Sequence, residues 1–282
     1  MSAPGRVGPL GPASGSEDTA DGARVPPAPQ PSDSTAKATA VRRMFSDIAP
    51  RYDLLNHLLS LNVDRLWRRS AARALVAGAP PRRVLDSCAG TLDLAIAIAG
   101  LLGDDASVVA ADFAVPMLEL GRPKIGAARI AEVAADGLRL PFPDGVFDGA
   151  SVAFGVRNLA DPAAGLRELA RVLEPGGRLV VLEFSTPTFA PFRAAYRLYF
   201  HRVLPWLGAL LSRHDEAYTY LPASVDEFPQ PTEFAALMCT AGFARVRWRR
   251  LTGGIATLHL GETQPLRRGR PGAGPASPEA QP

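Results

Sequence analysis

The stretch from Arg83 to Asp93 reads RVLDSCAGTLD and decides the fold. Its first five residues, Arg83–Ser87, form a short apolar run bounded by a turn, which is typical of a buried β-strand. The small residues that follow, with Gly90 at their centre, predict a tight turn whose backbone can approach a ligand closely. From Asp93 to Leu102 the chain is almost wholly apolar, which predicts a buried helix. A strand, a turn and a helix in this order form the first unit of an α/β domain.

The same alternation of strand and helix repeats toward the C-terminus. Further apolar runs predict six more strands, at Ser107–Ala111, Ile130–Ala134, Phe147–Phe154, Arg178–Phe184, Phe243–Arg250 and Ile255–Leu260. Helical patterns lie between them at Pro116–Gly121, Pro162–Leu173 and Thr232–Ala241. We therefore predict an α/β fold with a doubly wound, seven-stranded, mainly parallel sheet, in which the closing hairpin places one antiparallel strand near the edge.

Helical segments also flank this alternating pattern. One helical pattern runs from Met44 to Leu59 with a break at Pro50, and a second runs from Asp64 to Val76. A long insert at residues 186–229 follows the fifth strand, and its aromatic and leucine residues also recur at helical spacing. The sequence thus predicts N-terminal helices and a helical insert after strand five.

The two ends of the chain differ from the rest in composition. Residues 1–40 hold seven prolines and five glycines, and residues 262–282 hold five prolines. Such segments bury too little apolar surface to offset the entropy lost on ordering. We predict disordered tails at 1–40 and 262–282 around a single domain at 41–261.

Bulk composition excludes several classes of function. The formal net charge is +3 and no long Lys/Arg block occurs, which argues against nucleic-acid binding. The only two cysteines, Cys88 and Cys239, cannot build a disulfide framework, and the histidines show no ligand spacing, so no metal site is predicted. There is no charge-free apolar stretch of ~18 residues to span a membrane, and no N-terminal apolar run typical of a signal peptide. We expect a cytoplasmic protein.

Ligand-binding residues are expected at the carboxyl ends of the strands. Three candidates lie there: the turn Asp86–Asp93, Asp112 after strand two, and the pair Asp136-Gly137 after strand three. Asp112 can accept hydrogen bonds from both hydroxyls of a ribose, and Asp136 can accept one from an exocyclic amine of adenine. The other interpretation of Asp112 is a cap for the following helix. The fuller glycine pattern of nicotinamide sites and the phosphate-binding Gly-Lys-Ser/Thr pattern are both missing.

Longer motifs carry a resemblance to a known family. The segments 45–56 (FSDIAPRYDLLN), 154–158 (FGVRN), 182–185 (LEFS) and 218–229 (YTYLPASVDEFP) are similar to those of ubiquinone/menaquinone biosynthesis C-methyltransferases. The glycine-containing turn with Asp112, and the proline-glycine-glycine at 175–177, resemble class I S-adenosylmethionine methyltransferases more generally. The resemblance covers residues 41–261 and implies that fold.

The resemblance implies S-adenosylmethionine as cofactor and a set of residues that hold it. The implied cofactor-binding residues are Asp86, Gly90, Thr91, Asp112, Asp136, Gly137 and Ala153. Two positions depart from the family pattern, since Ala153 stands where the family usually has serine and Leu92 where its turn has glycine. We predict that Leu92 points into the core on the helix side of the turn. The alternative is that leucine fills the cofactor pocket and leaves a degenerate binder.

The acceptor side is expected beyond strand four. We predict Arg157 and Asn158 as catalytic residues, the first stabilising a phenolate and the second holding a ring hydroxyl, because a quinol carbon is a poor nucleophile until its hydroxyl is deprotonated. The alternative for Arg157 is an ion pair with a local carboxylate such as Asp161. Three residues of the insert are predicted to complete the substrate site: His201, Tyr218 and Tyr220.

The implied reaction is C-methylation of a polyprenylated quinol, with demethylmenaquinol to menaquinol favoured. Three alternatives stay open: the 2-methoxy-6-polyprenyl-benzoquinol of the ubiquinone pathway, another small acceptor, and a non-catalytic cofactor-binding accessory protein of quinone synthesis. The insert is interpreted as an apolar lid, because Phe192, Tyr196 and Tyr199 share one helical face while arginines lie elsewhere. Residues 192–211 therefore predict peripheral association with the inner face of the membrane, the alternative being a core helix or a homodimer contact.

Overall fold

The computed structural model describes residues 39, 41–47, 49, 60, 62–199, 202 and 216–265. Residues 41–47 form a helical segment ahead of the sheet. His201, most of both predicted tails and residues 203–215 of the insert lie outside the described residues, and of Tyr218 only the backbone is described.

A seven-stranded sheet forms the centre of the domain, with strand order β3-β2-β1-β4-β5-β7-β6. The strands are β1 Arg83–Ser87, β2 Ser107–Asp112, β3 Ile130–Ala134, β4 Phe147–Ala153, β5 Leu173–Phe184, β6 Phe243–Leu251 and β7 Ala256–Thr263. Strands β1 to β5 pair in parallel, and β7 runs antiparallel to both β5 and β6. The predicted mainly parallel sheet is confirmed, with its antiparallel strand one place in from the edge.

Helices cover both faces of this sheet. They are α1 Val63–Val76, α2 Asp93–Ala99, α3 Val115–Gly121, α4 Pro162–Val172, α5 Ala190–Leu198, α6 Glu216–Glu227 and α7 Pro231–Thr240. On one face, α1, α2 and α3 pack on the sheet through residues such as Trp67, Ile98 and Leu118. On the other face, α4 and α7 pack through Leu166 and Phe234. The doubly wound arrangement therefore separates two hydrophobic cores by the sheet.

Strand β5 begins five residues earlier than the sequence predicts. Leu173, which we assigned to the preceding helix, pairs with Phe147 of β4, and the register shifts before Gly149 pairs with Arg178. This irregularity accommodates the residues between Leu173 and Arg178 within an extended strand. A proline and two glycines predict a break, but a bulge at the start of a strand tolerates them as well.

The domain also extends two residues past its predicted end at 261. Strand β7 continues through Glu262 and Thr263, and Glu262 pairs with Arg178 of β5. The Thr263 side chain is buried, and its hydroxyl donates a hydrogen bond to the Glu174 carbonyl at 2.6 Å. The predicted tail at 262–282 was therefore too long at its start, because strand pairing and not composition sets the boundary.

The insert after β5 contributes two described helices, α5 and α6. Tyr196 of α5 is buried against Val225 of α6, as the predicted apolar face requires. Phe192 packs its ring on Gly253, where an added Cβ would lie 2.7 Å from the ring. Among the described residues, no helix combines the length and apolar character needed to cross a membrane.

Candidate active site

The carboxyl ends of β1, β2, β3 and β4 meet around one cavity of about 70 Å³. We call it the nucleoside cavity. Five of the seven predicted cofactor residues line it: Gly90, Asp112, Asp136, Gly137 and Ala153. Asp86 and Thr91, together with Gly90 and Ala153, line a smaller polar cavity beside it, of about 20 Å³. The strand order thus gathers residues that are up to 67 positions apart in sequence (Asp86 to Ala153).

Asp112 is fixed between two backbone donors. One carboxylate oxygen accepts a hydrogen bond from the Gly90 N–H and the other from the Ala114 N–H, both at 2.8 Å. Burial raises the pKa of this carboxyl, and the two backbone hydrogen bonds oppose that shift. Since each carboxylate oxygen has a second lone pair, Asp112 can hold the turn after β1 and the residue before α3, and still accept hydrogen bonds from a ligand.

Asp136 and Gly137 form the far wall of the nucleoside cavity. The Asp136 carboxylate accepts a hydrogen bond from the Leu138 N–H at 2.9 Å, which fixes the turn after β3. A Cβ added to Gly137 would lie 3.1 Å from Leu159 and 3.7 Å from the Cys88 sulfur. Glycine at this position therefore keeps a narrow slot open between two side chains, the shape that a flat ring requires.

Left-handed backbone conformations cluster in the turn after β1. Cys88, Gly90 and Leu92 all have positive φ, of 55°, 53° and 71° respectively. A side chain in this conformation costs roughly 1–2 kcal/mol, so the turn is strained at two of these three residues. Phe154, after β4, shares this strain with φ 57° and faces the same cavity. Strain of this kind concentrates at ligand-binding sites.

Leu92 points away from the cofactor cavities, as predicted. Its side chain is fully buried in the core on the α1–α2 face of the sheet. A Cβ added to Gly121 would lie 2.5 Å from Leu92 Cγ, so the leucine occupies space that glycine at the end of α3 leaves open. Leucine therefore replaces glycine in the turn at the cost of backbone strain, and the ligand space is preserved.

Asp86 is an almost completely buried carboxylate with one unused oxygen. Oδ1 accepts a hydrogen bond from the Ser151 hydroxyl at 2.6 Å, and Oδ2 has no hydrogen-bond partner among the described residues. Burial raises the pKa of Asp86 to about 7, although Ser151 and the Arg68 charge pull it down. An unpaired buried carboxylate oxygen is costly and favours a cationic or hydrogen-bonding ligand group beside it.

Arg157 forms a buried ion pair, but with Glu183 and not with Asp161. Its Nη1 donates to Glu183 at 2.9 Å and to the Phe154 carbonyl at 2.6 Å, and its guanidinium lies 5.3 Å from the Phe184 ring. Asp161 instead caps α4 through the Ala164 N–H. Arg157 lies behind the wall residue Phe184, so the structure favours the ion-pair alternative, with a carboxylate that the sequence analysis left without a role.

Asn158 and Tyr220 come together across 62 residues of sequence. The Tyr220 hydroxyl donates a hydrogen bond to Asn158 Oδ1 at 3.1 Å, and Asn158 Nδ2 donates to the Phe154 carbonyl at 3.1 Å. Burial raises the pKa of Tyr220, so its hydroxyl stays protonated at neutral pH. The structure thus links helix α6 of the insert to the predicted acceptor side through two of the predicted residues.

A larger apolar cavity of about 260 Å³ lies next to the nucleoside cavity. We call it the acceptor cavity. Its wall is mainly aromatic and aliphatic: Trp67, Phe154, Phe184, Phe192, Tyr196, Tyr199, Leu221 and Ile255. Phe154 lines both cavities and stacks on Phe184 with ring centroids 4.4 Å apart. Among the described residues, no cluster of histidine, cysteine, aspartate and glutamate could hold a metal ion.

Several of these wall residues were missed by the sequence analysis. Trp67, from α1, donates its indole N–H to the Thr252 hydroxyl at 2.8 Å and packs edge-on against Phe184. The sequence feature that could have identified Trp67 is its place on the apolar face of a helix, among three arginines. Glu183 also had a signal, as a charged residue inside the otherwise apolar run of β5.

Comparisons with known proteins agree with this geometry. Residues 33–263 match the model of the ubiE/COQ5 methyltransferase family. The chain is 50% identical to a demethylmenaquinone methyltransferase of Deinococcus radiodurans, over 83% of this chain and 97% of that protein. It is 52% identical to the enzyme of that name from Thermus thermophilus, over 78% and 99%. It is also 48% identical to a ubiquinone/menaquinone biosynthesis C-methyltransferase of Geobacter sulfurreducens, over 81% and 90%.

Solved structures support the fold at low sequence identity. A SAM-dependent methyltransferase of Thermotoga maritima superposes with a TM-score of 0.56 at 18% identity, covering 79% of this chain and 99% of that one. The [4+2]-cyclase SpnF reaches 0.59 at 14% identity, over 81% and 96%, so the fold alone does not determine the reaction. The family model matches nearly the whole described domain and the relatives are about half identical in sequence, so the chain belongs to the ubiE/COQ5 family of methyltransferases.

Proposed function

We propose that this enzyme transfers a methyl group from S-adenosylmethionine to a ring carbon of a polyprenylated quinol, converting demethylmenaquinol to menaquinol. The observation that carries the proposal is the aromatic acceptor cavity, which shares Phe154 with the nucleoside cavity. A cavity with such a wall fits an acceptor that has an apolar ring and a hydrophobic prenyl chain. Two relatives that match this chain over nearly their full length are named demethylmenaquinone methyltransferase.

The cofactor residues divide by the part of S-adenosylmethionine that each would contact. Asp112 would accept hydrogen bonds from the ribose hydroxyls, and Asp136 with Gly137 would flank the adenine. The polar cavity with Asp86 and Thr91 would hold the methionyl end, because the unpaired Asp86 oxygen fits its ammonium group. When bound, the cofactor supplies an electrophilic methyl group on a positively charged sulfur. Ala153 lines the nucleoside cavity and the polar cavity, and its small apolar side chain leaves room where the two meet.

The protein's part in the reaction is mainly positioning and exclusion of water. Asn158, which lines the nucleoside cavity and accepts a hydrogen bond from Tyr220, would orient a ring hydroxyl of the acceptor. Arg157, held by Glu183 and donating to the Phe154 carbonyl, would fix the 154–158 segment that carries Asn158. The aromatic wall keeps water from the reacting carbon, which protects the methyl donor from hydrolysis.

A turnover assay with two acceptors tests the proposal. Demethylmenaquinol and 2-methoxy-6-polyprenyl-benzoquinol would be compared under reducing conditions, with kcat/KM as the readout. We expect methylation of both ring types with preference for the naphthoquinol. Failure to methylate either quinol, with S-adenosylhomocysteine binding intact, would support the non-catalytic alternative.

We also propose that the enzyme binds membranes peripherally, from the cytoplasmic side, through helix α5. Phe189 and Leu198 bracket this helix and are 68% and 61% exposed, and its two arginines can meet anionic lipid. Phe192 lines the acceptor cavity on the same helix, so a quinol could pass from the bilayer into the site.

Liposome flotation tests membrane binding. We expect flotation with anionic vesicles that weakens on the change Phe189→Ser with Leu198→Ser. A matched control is Leu101→Ser, an exposed leucine next to α2 and far from this surface in sequence. If the wild type does not float and the double variant instead shifts a dimer to a monomer, α5 is a homodimer contact.

A further inference from the structure

Arg68 lies at the junction of the polar cavity and the acceptor cavity. It belongs to α1, outside every motif that the sequence analysis singled out, and lines both cavities. Its side chain is almost completely buried, with the residue only 7% exposed. A guanidinium is expensive to bury without opposite charge and hydrogen-bond acceptors around it, so its position calls for a specific explanation.

Asp64 holds Arg68 in place from one helical turn away. The two form a buried ion pair through Arg68 Nη1 and Asp64 Oδ2, and the Ser60 hydroxyl donates to Asp64 Oδ1 at 2.7 Å. The guanidinium carbon lies 5.3 Å from the centroid of the Phe154 ring. Among the described residues, only Nη1 of this group makes a hydrogen bond, although a guanidinium carries five N–H donors in a planar fork.

The opposite charge in the polar cavity is Asp86. It is 1% exposed, and its Oδ2 has no hydrogen-bond partner among the described residues. The same small cavity is therefore lined by a buried guanidinium with unused N–H donors and by a buried carboxylate with an unused acceptor oxygen. It also adjoins the nucleoside cavity, with which it shares Cys88, Gly90 and Ala153. A ligand group with a carboxylate and an ammonium on one carbon would satisfy both.

We propose that Arg68 binds the carboxylate of the methionyl end of S-adenosylmethionine, and that Asp64 acts as its positioning residue. Asp86 takes the ammonium group on the other side of the polar cavity. This inference rests on the proposed cofactor use. An acceptor oxyanion is the weaker candidate for Arg68, because the acceptor cavity around it is walled mainly by carbon. Arginine suits a carboxylate because two parallel N–H groups can bind both oxygens at once.

Binding calorimetry with two ligands tests the assignment without requiring catalysis. S-Adenosylhomocysteine carries the amino-acid end, whereas 5′-methylthioadenosine lacks it and shares the nucleoside. We expect Arg68→Met to weaken S-adenosylhomocysteine roughly 10- to 100-fold, the loss typical of a charge-assisted hydrogen-bonded pair, and to leave 5′-methylthioadenosine within about twofold. The matched control is Arg69→Met, an exposed arginine on the same helix, which should change neither affinity.

Equal weakening of both ligands, or no weakening of either, would overturn the proposal and leave Arg68 as a scaffold residue. Because removal of a buried ion-pair partner can unfold the protein, Arg68→Lys provides a second test. Lysine keeps the charge beside Asp64 but loses the planar fork, so we expect a several-fold loss for S-adenosylhomocysteine alone. If the wild type binds neither ligand, the proposed cofactor itself is wrong, which is a distinguishable outcome.

Discussion

Leu92 shows how one residue can break a glycine preference without closing a site. Its backbone accepts φ 71° and its side chain is buried against Gly121, beside the α2 helix that it begins. Two opposing contributions therefore meet at this position. The strained backbone costs roughly 1–2 kcal/mol, and the buried leucine contributes roughly 2–5 kcal/mol relative to a truncated side chain.

We expect Leu92→Gly to lower the free energy of unfolding by about 1–3 kcal/mol, because lost packing exceeds relieved strain. The affinity for S-adenosylhomocysteine should change by less than ~10-fold, since the side chain points away from the cofactor cavities. Urea denaturation and calorimetry measure the two effects. A large gain in affinity without loss of stability would show that the leucine fills the pocket.

Arg157 and Glu183 form the most buried ion pair near the acceptor side of the described structure. Arg157→Ala leaves Glu183 charged, buried and unpaired, which typically costs about 3–5 kcal/mol. We expect the double change Arg157→Met with Glu183→Gln to recover most of that stability in urea denaturation. If turnover remains low in the double variant although its stability is restored, the pair positions the 154–158 segment for catalysis. Full turnover there would contradict any functional role.

Asp86 predicts a pH dependence of cofactor binding. Its pKa is raised to about 7 in the folded protein, so a fraction of the protein carries a neutral carboxyl at neutral pH. The ammonium of the cofactor needs the charged form. We expect affinity for S-adenosylhomocysteine to rise with pH from about 6 to 7.5, as calorimetry can measure. Asp86→Asn should bind more weakly and lose this rise, and an unchanged profile in that variant would contradict the assignment.

At the scale of elements, helix α6 is tied to the predicted acceptor side by Tyr220 and Asn158. We expect Tyr220→Phe to raise the quinol KM about 2- to 10-fold, the effect of one lost hydrogen bond, with cofactor affinity unchanged. Steady-state kinetics and calorimetry separate these parameters. A loss of cofactor affinity in Tyr220→Phe would place the tyrosine elsewhere in the mechanism.

Strand β7 and helix α7 are joined by the fully buried His259, whose Nε2 lies 3.0 Å from the Pro231 carbonyl oxygen. Burial lowers its pKa to about 4, against 6.5 ordinarily. The folded state therefore favours the neutral imidazole. The stability that this preference contributes is fully present above pH 6.5 and is lost as the pH falls toward 4. Its upper limit is about 3 kcal/mol, at 1.36 kcal/mol for each pKa unit.

We expect His259→Gln to flatten the acid limb of the stability profile between pH 6.5 and 4, measured by urea denaturation at each pH. Asp86 acts in the opposite direction, since its raised pKa lowers stability as the pH rises from 3.8 toward 7. Comparing variant with wild type cancels that common contribution. Parallel profiles for the two proteins would show that the histidine does not set the acid limb.

For the whole molecule, the sequence was sufficient wherever periodicity and turn chemistry are local. Strands β1 and β3 match their predicted limits, because each is an apolar run with sharp ends. The start of β5 and the end of β7 were not predictable, because both depend on pairing with distant strands. The site residues divide in the same way. Asp112 is the last residue of β2 and was identified from its own apolar run, whereas the roles of Trp67, Arg68 and Glu183 depend on tertiary contacts.

The central claim is that two adjoining cavities hold the cofactor and the quinol separately and meet at Phe154. The most direct measurement is steady-state turnover of demethylmenaquinol with methyl-labelled S-adenosylmethionine, on two variants that each alter one cavity. Asp112→Ala should raise the KM for the cofactor ~10-fold or more, and Ile255→Trp should raise only that for the quinol. The label should appear on a ring carbon. Coupled loss for both substrates in both variants, or no label on the ring, would contradict the account.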